Sequence, residues 1–213
     1  MSIRRFDQSR KEAAAALDPI AKDFYRDYFD AAGIYDVEAV DNSRYDPDDQ
    51  VQRWAHLVDY AGIDKLIDVR ERVIPIGHRV RPNDPTTDWS TDFSLRRSNG
   101  VVTPDGESVP CEYVKIKTAI EQGGSYPCYF GFGVYDEPAD GAVNGFNYFM
   151  LIDTRALFEA IEEDRLDGEE NTNASGDGTA ALYFTREELR EARCVAAEWG
   201  SDGRPIEKPK LHV

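Results

Sequence analysis

Two short runs of β-branched residues, separated by a charged turn, place the strongest constraint on the fold of this chain. The runs cover residues 63–69 and 73–81, and the turn between them reads Arg-Glu-Arg. Runs of this length and composition are typical of strands, and a short polar break between two of them favours a hairpin. The sequence therefore predicts a hairpin, with Asp64 where its first strand begins.

The segment before the hairpin carries helix start and stop signals. Residues 9–12 form a capping box of Ser and Glu, and Asp18-Pro19 predicts that a second helix begins there. A third helix is predicted from residue 46 to a glycine stop at residue 62. Asp59 then lies on its last turn, close along the chain to Asp64.

The remaining elements alternate between strands and helices. Residues 109–124 could alternate as a strand, but Pro110 and the terminal glycine pair favour a helix. Asp153 is placed to cap a helix to about residue 164, and residues 185–188 form a capping box before a last helix. Strands are predicted at 91–97, 126–137, 145–153 and 181–185, and a surface loop at 167–179.

The order of these elements predicts a mixed α/β fold, with a central mixed sheet, an N-terminal helical segment and flanking helices. The chain has 213 residues, of which 41% are apolar, and this is enough for one sizeable core. We therefore expect a single domain over 1–213. Residues 1–45 form its N-terminal helices, residues 46–153 its core, and residues 154–213 its C-terminal helices and tail.

The charge balance is strongly acidic. Asp and Glu total 41 against 25 Lys and Arg, giving a net charge of −16, and only seven of the bases are Lys. An acidic, Lys-poor surface is typical of proteins from halophiles that accumulate salt. We expect a chain that keeps its structure in molar salt and loses it at low ionic strength. Because phosphate contacts weaken for every protein in high salt, the net charge does not exclude nucleic acid.

Targeting and cysteine signals are weak. No apolar run approaches the roughly 20 residues that a membrane span needs, and the N-terminus lacks the apolar stretch of a signal peptide. We therefore expect a cytoplasmic protein with no membrane partner. Cys111, Cys128 and Cys194 are scattered without any C-x-x-C spacing, so they do not predict a zinc site.

A helix, an Asp at a strand start and a second strand with charged residues form the plan of the PD-(D/E)xK nuclease superfamily. The chain resembles that group, especially its phage- and plasmid-borne members, over roughly residues 45–153. The matching stretches read YAGIDKLI, IGHRVR, DFSLR, CEYVKIK and LIDTRALF. The resemblance implies a restriction-endonuclease-like fold, Mg²⁺ as cofactor and DNA as substrate, in a halophilic archaeon or its virus. A hard cation of this kind prefers oxygen ligands.

Carried onto this sequence, the resemblance makes Asp64 a metal ligand and places Arg79 where the family has its lysine. The acidic position of the family's motif is Gly77, which has no side chain to bind a metal. The missing carboxylate could come from elsewhere. The candidates for this carboxylate are Asp59, Asp92 and Glu112, and His78 is a candidate for an additional ligand. The candidates for contacts with nucleic acid are Arg81, Arg96 and Lys115.

Two interpretations stay open. In the first, the chain is a divergent metal-dependent nuclease in which Asp64, His78 and Arg79 are catalytic. In the second, it is a non-catalytic interaction or virus-assembly protein with a decayed site and a protein partner. Asp64 would then form only an ion pair at the sheet end, and Glu112 with Lys115 only a surface pair on a helix.

Overall fold

The computed structural model describes residues 3–37, 61–70, 72–84, 86, 91–99, 110–136, 143–172 and 179–207. The helices within these ranges are α1 (Ile3–Phe29), α2 (Glu112–Gln122), α3 (Thr154–Glu162) and α4 (Arg186–Glu191). The strands are β1 (Gly33–Asp36), β2 (Lys65–Val69), β3 (Arg72–Pro82), β4 (Phe93–Asn99), β5 (Tyr129–Tyr135), β6 (Tyr148–Asp153), β7 (Glu169–Thr172), β8 (Thr179–Phe184), β9 (Val195–Gly200) and β10 (Pro205–Glu207).

A seven-stranded mixed sheet forms the centre of the fold. Its strand order is β1-β2-β3-β5-β6-β9-β10, and β4, β8 and β7 form a second sheet of three strands in the order β4-β8-β7. Strands β3 and β5 pair in parallel, with β4 and α2 between them in the chain, while the other neighbours in both sheets are antiparallel. The predicted mixed α/β fold with a mixed central sheet is confirmed.

The predicted hairpin is confirmed as β2 and β3. Lys65 lies opposite Ile76 and Val69 opposite Arg72, so the two strands pair along the whole of β2. Arg70 occupies the left-handed region, with a φ of 44°, at the turn. Because successive side chains of a strand point to opposite faces, β3 contributes to both layers that cover the sheet.

One face of the central sheet packs against α1. Leu17, Ala21 and Phe24 recur at spacings of three or four residues, and they are buried in one cluster with Ile67 and Phe149 of the sheet. The opposite face packs against α2, α3, α4 and the second sheet. The buried residues of that second cluster include Ile116, Leu157, Leu189, Phe93, Phe184, Phe130 and Met150.

The predicted division of the N-terminal helix is wrong. Helix α1 is continuous from Ile3 to Phe29, so residues 9–12 do not start it and Pro19 lies inside it. A proline in a helix interior removes one hydrogen bond and is costly. Leu17 and Ala21, on either side of Pro19, are both fully buried against the same sheet face, and this packing keeps the helix continuous across the proline.

The C-terminal third contains more strand than predicted. Residues 154–213 were expected to form helices around one short strand, but β7, β9 and β10 also lie there. Strand β9 pairs with β6, so the central sheet extends beyond residue 153. The predicted last helix ends at Glu191, and Arg193, with a φ of 61°, reverses the chain into β9. The expected surface loop at 167–179 includes β7.

Several local signals are confirmed. Asp153 caps α3 by accepting a hydrogen bond from the Ala156 backbone N–H at 3.0 Å. Thr185 and Glu188 form the predicted capping box of α4. Residues 112–122 are helical, as the start and stop signals indicated. Among the described helices, none is both long and apolar enough to cross a membrane.

Candidate active site

Arg79 lies on the β3 face that packs against α2 and the second sheet. Its guanidinium forms an ion pair with Glu112, and its Cζ atom lies 5.4 Å from the centre of the Phe130 ring. The Arg79 side chain is 31% exposed and that of Glu112 is 17% exposed. Burial lowers the pKa of Arg79 to about 10, and the negative charge of Asp64 opposes that effect. Arg79 therefore remains a cation at neutral pH.

Glu112 is the first residue of α2. The preceding Cys111 has an extended backbone and is the N-cap, so the Glu112 side chain projects from the start of the helix. One carboxylate oxygen contacts Arg79, and the other accepts a hydrogen bond from the Arg96 backbone N–H at 3.2 Å. Glu112 thus connects α2, β3 and β4.

Asp64 lies immediately before β2 and is held there by its backbone. Its N–H donates to the Ile76 carbonyl at 2.8 Å, and its own carbonyl accepts from the Val37 N–H at 2.8 Å. Its side-chain carboxylate accepts from the His78 backbone N–H at 2.5 Å. Asp64 is therefore fixed beside the middle of β3, and its charge acts on Arg79.

His78 is on the other face of β3. Its Nδ1 atom forms a hydrogen bond with the Tyr25 hydroxyl at 2.8 Å, and its ring centre lies 6.2 Å from that of Phe149. Burial and, to a smaller extent, the charge of Lys65 lower the pKa of His78 to about 4. The structure does not bring the imidazole together with Arg79, because adjacent strand residues point in opposite directions.

Phe130 leaves no room for a side chain at Gly77. A Cβ atom at Gly77 would lie 2.5 Å from two carbons of the Phe130 ring and 3.3 Å from the Gly62 carbonyl oxygen. Carbon atoms do not approach so closely, so the position accepts no side chain without a shift of the fully buried Phe130. An acidic residue, which the resemblance would place at this position, therefore has no room here.

Arg81 and Asp92 belong to a neighbouring group. The Arg81 guanidinium donates to the Ser94 hydroxyl and lies 5.6 Å from the centre of the Tyr183 ring. Burial and the charge of Glu188 raise the pKa of Asp92, while the charge of Arg81 lowers it. Asp92 thus lies near Arg81 and the start of α4.

The other predicted residues are spread around the site. Arg96 has an exposed side chain on β4, and only its backbone N–H is shown to bind Glu112. Lys115 follows Glu112 by three residues on α2, so the two lie on the same side of the helix, as expected. Asp59 lies outside the described residues. Among the predicted carboxylates that the structure describes, Glu112 is thus the one shown in contact with Arg79.

Sequence reasoning missed an ionic cluster next to Asp64, formed by Lys65, Lys22, Asp18 and Asp36. The Lys65 ammonium contacts Asp18 and lies 2.6 Å from Asp36, while Lys22 lies 2.7 and 2.6 Å from the same two carboxylates. Burial raises the pKa of both aspartates, but their hydrogen bonds from the lysines outweigh it, so both pKa values fall below the ordinary value. The sequence signal that could have predicted this cluster was Lys65, a lysine inside the apolar run over residues 63–69.

Within the described ranges, no group of three or more His, Cys, Asp or Glu side chains is placed to hold a metal ion. Glu112 contacts Arg79, and the negative charge of Asp64 also acts on Arg79. Comparison with known proteins identifies no relative: no family model, no curated protein and no solved structure gives a significant match.

Proposed function

We propose that this protein is a divergent, metal-dependent nuclease-like protein that acts on DNA. The observation that carries the proposal is the ion pair between Glu112 and Arg79, at a position where the negative charge of Asp64 also acts on Arg79. Glu112 takes the role of the acidic residue that cannot stand at Gly77. The hairpin of β2 and β3, with Asp64 immediately before β2 and Arg79 on β3, supports the restriction-endonuclease-like fold that the resemblance implies.

The donor set suits Mg²⁺ or Mn²⁺. Magnesium sites in phosphoryl-transfer enzymes commonly use one or two carboxylates, with water and substrate phosphate oxygens as the other ligands. Asp64 and Glu112 would hold the ion. In the structure, the positive charge in contact with Glu112 is the Arg79 guanidinium. When bound, the metal supplies positive charge that polarises a phosphate and lowers the pKa of a water molecule.

The arginines would act on the substrate. A guanidinium binds phosphate oxygens through two parallel hydrogen bonds, so Arg79 and Arg81 are suited to hold a phosphodiester and its developing charge. Arg79 is not suited to accept a proton, because its pKa of about 10 keeps it protonated at neutral pH. His78 does not serve there either, since its ring faces Tyr25.

The test is cleavage of linear and supercoiled DNA with Mg²⁺ or Mn²⁺, from low to molar salt. Asp64→Asn and Glu112→Gln remove charge but keep an oxygen that accepts the hydrogen bonds from His78 and Arg96. We expect each to reduce cleavage about 100-fold or more, because a neutral amide is a poor metal ligand. Glu170→Gln is the matched control. Glu170 also forms an ion pair with an arginine, Arg97, at 2.8 Å, but it is not part of the proposed metal site.

A second candidate is the non-catalytic interaction or assembly protein. Two observations favour it: Phe130 closes the position of Gly77, and Glu112 is already neutralised by Arg79. In that case the wild type neither cleaves DNA nor binds Mn²⁺ at any salt concentration. That result would contradict the nuclease proposal and leave Arg79 and Glu112 as a structural ion pair.

A further inference from the structure

We propose that the Arg79–Glu112 ion pair is an autoinhibitory contact, in which the guanidinium occupies the place of a divalent cation until a phosphodiester anion draws it away. This inference rests on the proposed function, because it concerns the same two carboxylates. It adds a coupling between two ligands: binding of the anion to Arg79 frees Glu112 for the metal ion.

The first step is that Glu112 is fully engaged in the observed state. One of its oxygens contacts Arg79 and the other accepts from the Arg96 N–H. A metal ion must therefore compete with a cation of the same chain, whose local concentration is fixed by the fold. Both side chains are less than one-third exposed, so water screens this contact less than it would screen a surface pair.

The second step is that Arg79 retains capacity to bind an anion. Among the described residues its buried Nε atom has no hydrogen-bond partner, although guanidinium nitrogens are strong donors. The positive charges of Arg81 and Arg96 both act on Arg79. Three guanidinium groups near one another favour an anion, and a phosphate accepts two parallel hydrogen bonds from one of them.

The third step links the two ligands. If the anion pulls Arg79 from Glu112, it removes the competitor of the metal ion, so each ligand increases the affinity for the other. By thermodynamic linkage the two increases are equal. An intramolecular competitor of this kind predicts weak metal binding by the isolated protein and stronger binding once a phosphodiester is present.

The experiment measures Mn²⁺ binding to the full chain by electron paramagnetic resonance of the free ion. Dimethyl phosphate serves as the probe, because it is the smallest phosphodiester anion. We expect Arg79→Met to bind Mn²⁺ about tenfold more tightly than the wild type without the anion, a typical size for coupling between two sites. Dimethyl phosphate should increase the affinity of the wild type and leave that of Arg79→Met unchanged.

Two controls make the result specific. Arg97→Met removes the arginine of a different ion pair, which joins Arg97 of β4 to Glu170. This variant should bind Mn²⁺ with the same affinity as the wild type. Glu112→Gln in the Arg79→Met background should abolish the gain. Met keeps an apolar stem over Phe130, and circular dichroism checks that the fold is retained.

Two results would overturn the inference, and they differ in what else they remove. If the wild type binds Mn²⁺ as tightly as Arg79→Met and dimethyl phosphate changes neither, the contact does not inhibit, while the proposed metal site stands. If no protein binds Mn²⁺ with or without the anion, the metal site itself is absent and the nuclease proposal falls too. The wild-type measurement with dimethyl phosphate needs no variant, so it decides even if Arg79→Met does not fold.

Discussion

On the α1 face of β3, His78 is held by Tyr25 and lies near a cluster of two lysines and two aspartates. On the opposite face, Arg79 pairs with Glu112 near Asp64, and two further arginines act on it. The Lys65 side chain is 6% exposed, whereas that of Arg79 is 31% exposed. The two faces of one strand thus hold ionic groups in different environments.

The difference separates a group that holds the fold together from one that can exchange partners. Lys65 joins α1 to the sheet through Asp18 and Asp36, and every charge in that cluster has an opposite charge in contact. Arg79 is more accessible than Lys65; it pairs with Glu112, and the charges of Asp64, Arg81 and Arg96 act on it. We therefore expect the α1 face to matter for stability and the opposite face for ligands.

Matched substitutions of one cation on each face test this comparison most strongly. Lys65→Met should lower the free energy of unfolding by about 3 kcal/mol, because a buried cation is lost and Lys22 alone is left to balance Asp18 and Asp36. Arg79→Met should lower it by a smaller amount, about 1 kcal/mol, because the Arg79 side chain is more exposed than that of Lys65. Urea titration in constant salt measures both, and equal losses would contradict the division between the faces.

The contact between Gly77 and Phe130 gives a smaller effect. Gly77→Ala should lower the free energy of unfolding by about 2 kcal/mol, because its Cβ would meet the Phe130 ring at 2.5 Å. Gly145→Ala is the control, since its Cβ would have nothing within 4 Å among the described residues. Phe130→Leu should reduce the cost of Gly77→Ala in a double-mutant cycle. A neutral Gly77→Ala would show that the position is open to a side chain.

The α1 face also predicts a pH dependence. His78 has a pKa of about 4 in the folded chain against an ordinary 6.5, so the unfolded chain binds the proton more tightly. Stability should therefore fall as pH decreases from about 6.5 towards 4, with a slope of up to about 1 kcal/mol per pH unit from this group. His78→Gln keeps an oxygen for the Tyr25 hydroxyl and should flatten the profile. Urea titrations at several pH values measure the free energy of unfolding. If its dependence on pH is the same in His78→Gln as in the wild type, His78 is not buried as a neutral ring.

Local signals predicted much of the fold. The β2–β3 hairpin, the aromatic strands β5 and β6, α2 and the caps at Asp153 and Thr185 all depend on residues close together in the chain. The errors arose where distant packing opposed a local signal. Pro19 indicates a helix start, but burial on both sides of it keeps α1 continuous. Strand β9 was missed because its pairing partner, β6, lies more than 40 residues earlier.

The sequence by itself determined that Asp64 lies next to the start of a strand, that Arg79 follows on the next strand, and that Gly77 has no carboxylate. These facts depend on residue type and short spacing. Only the tertiary structure decided that Phe130 fills the space beside Gly77, that Glu112 reaches Arg79 from α2, and that His78 turns towards Tyr25. The physical reason is that periodicity fixes which residues share a strand face, whereas the residues that meet across that face depend on how distant segments pack.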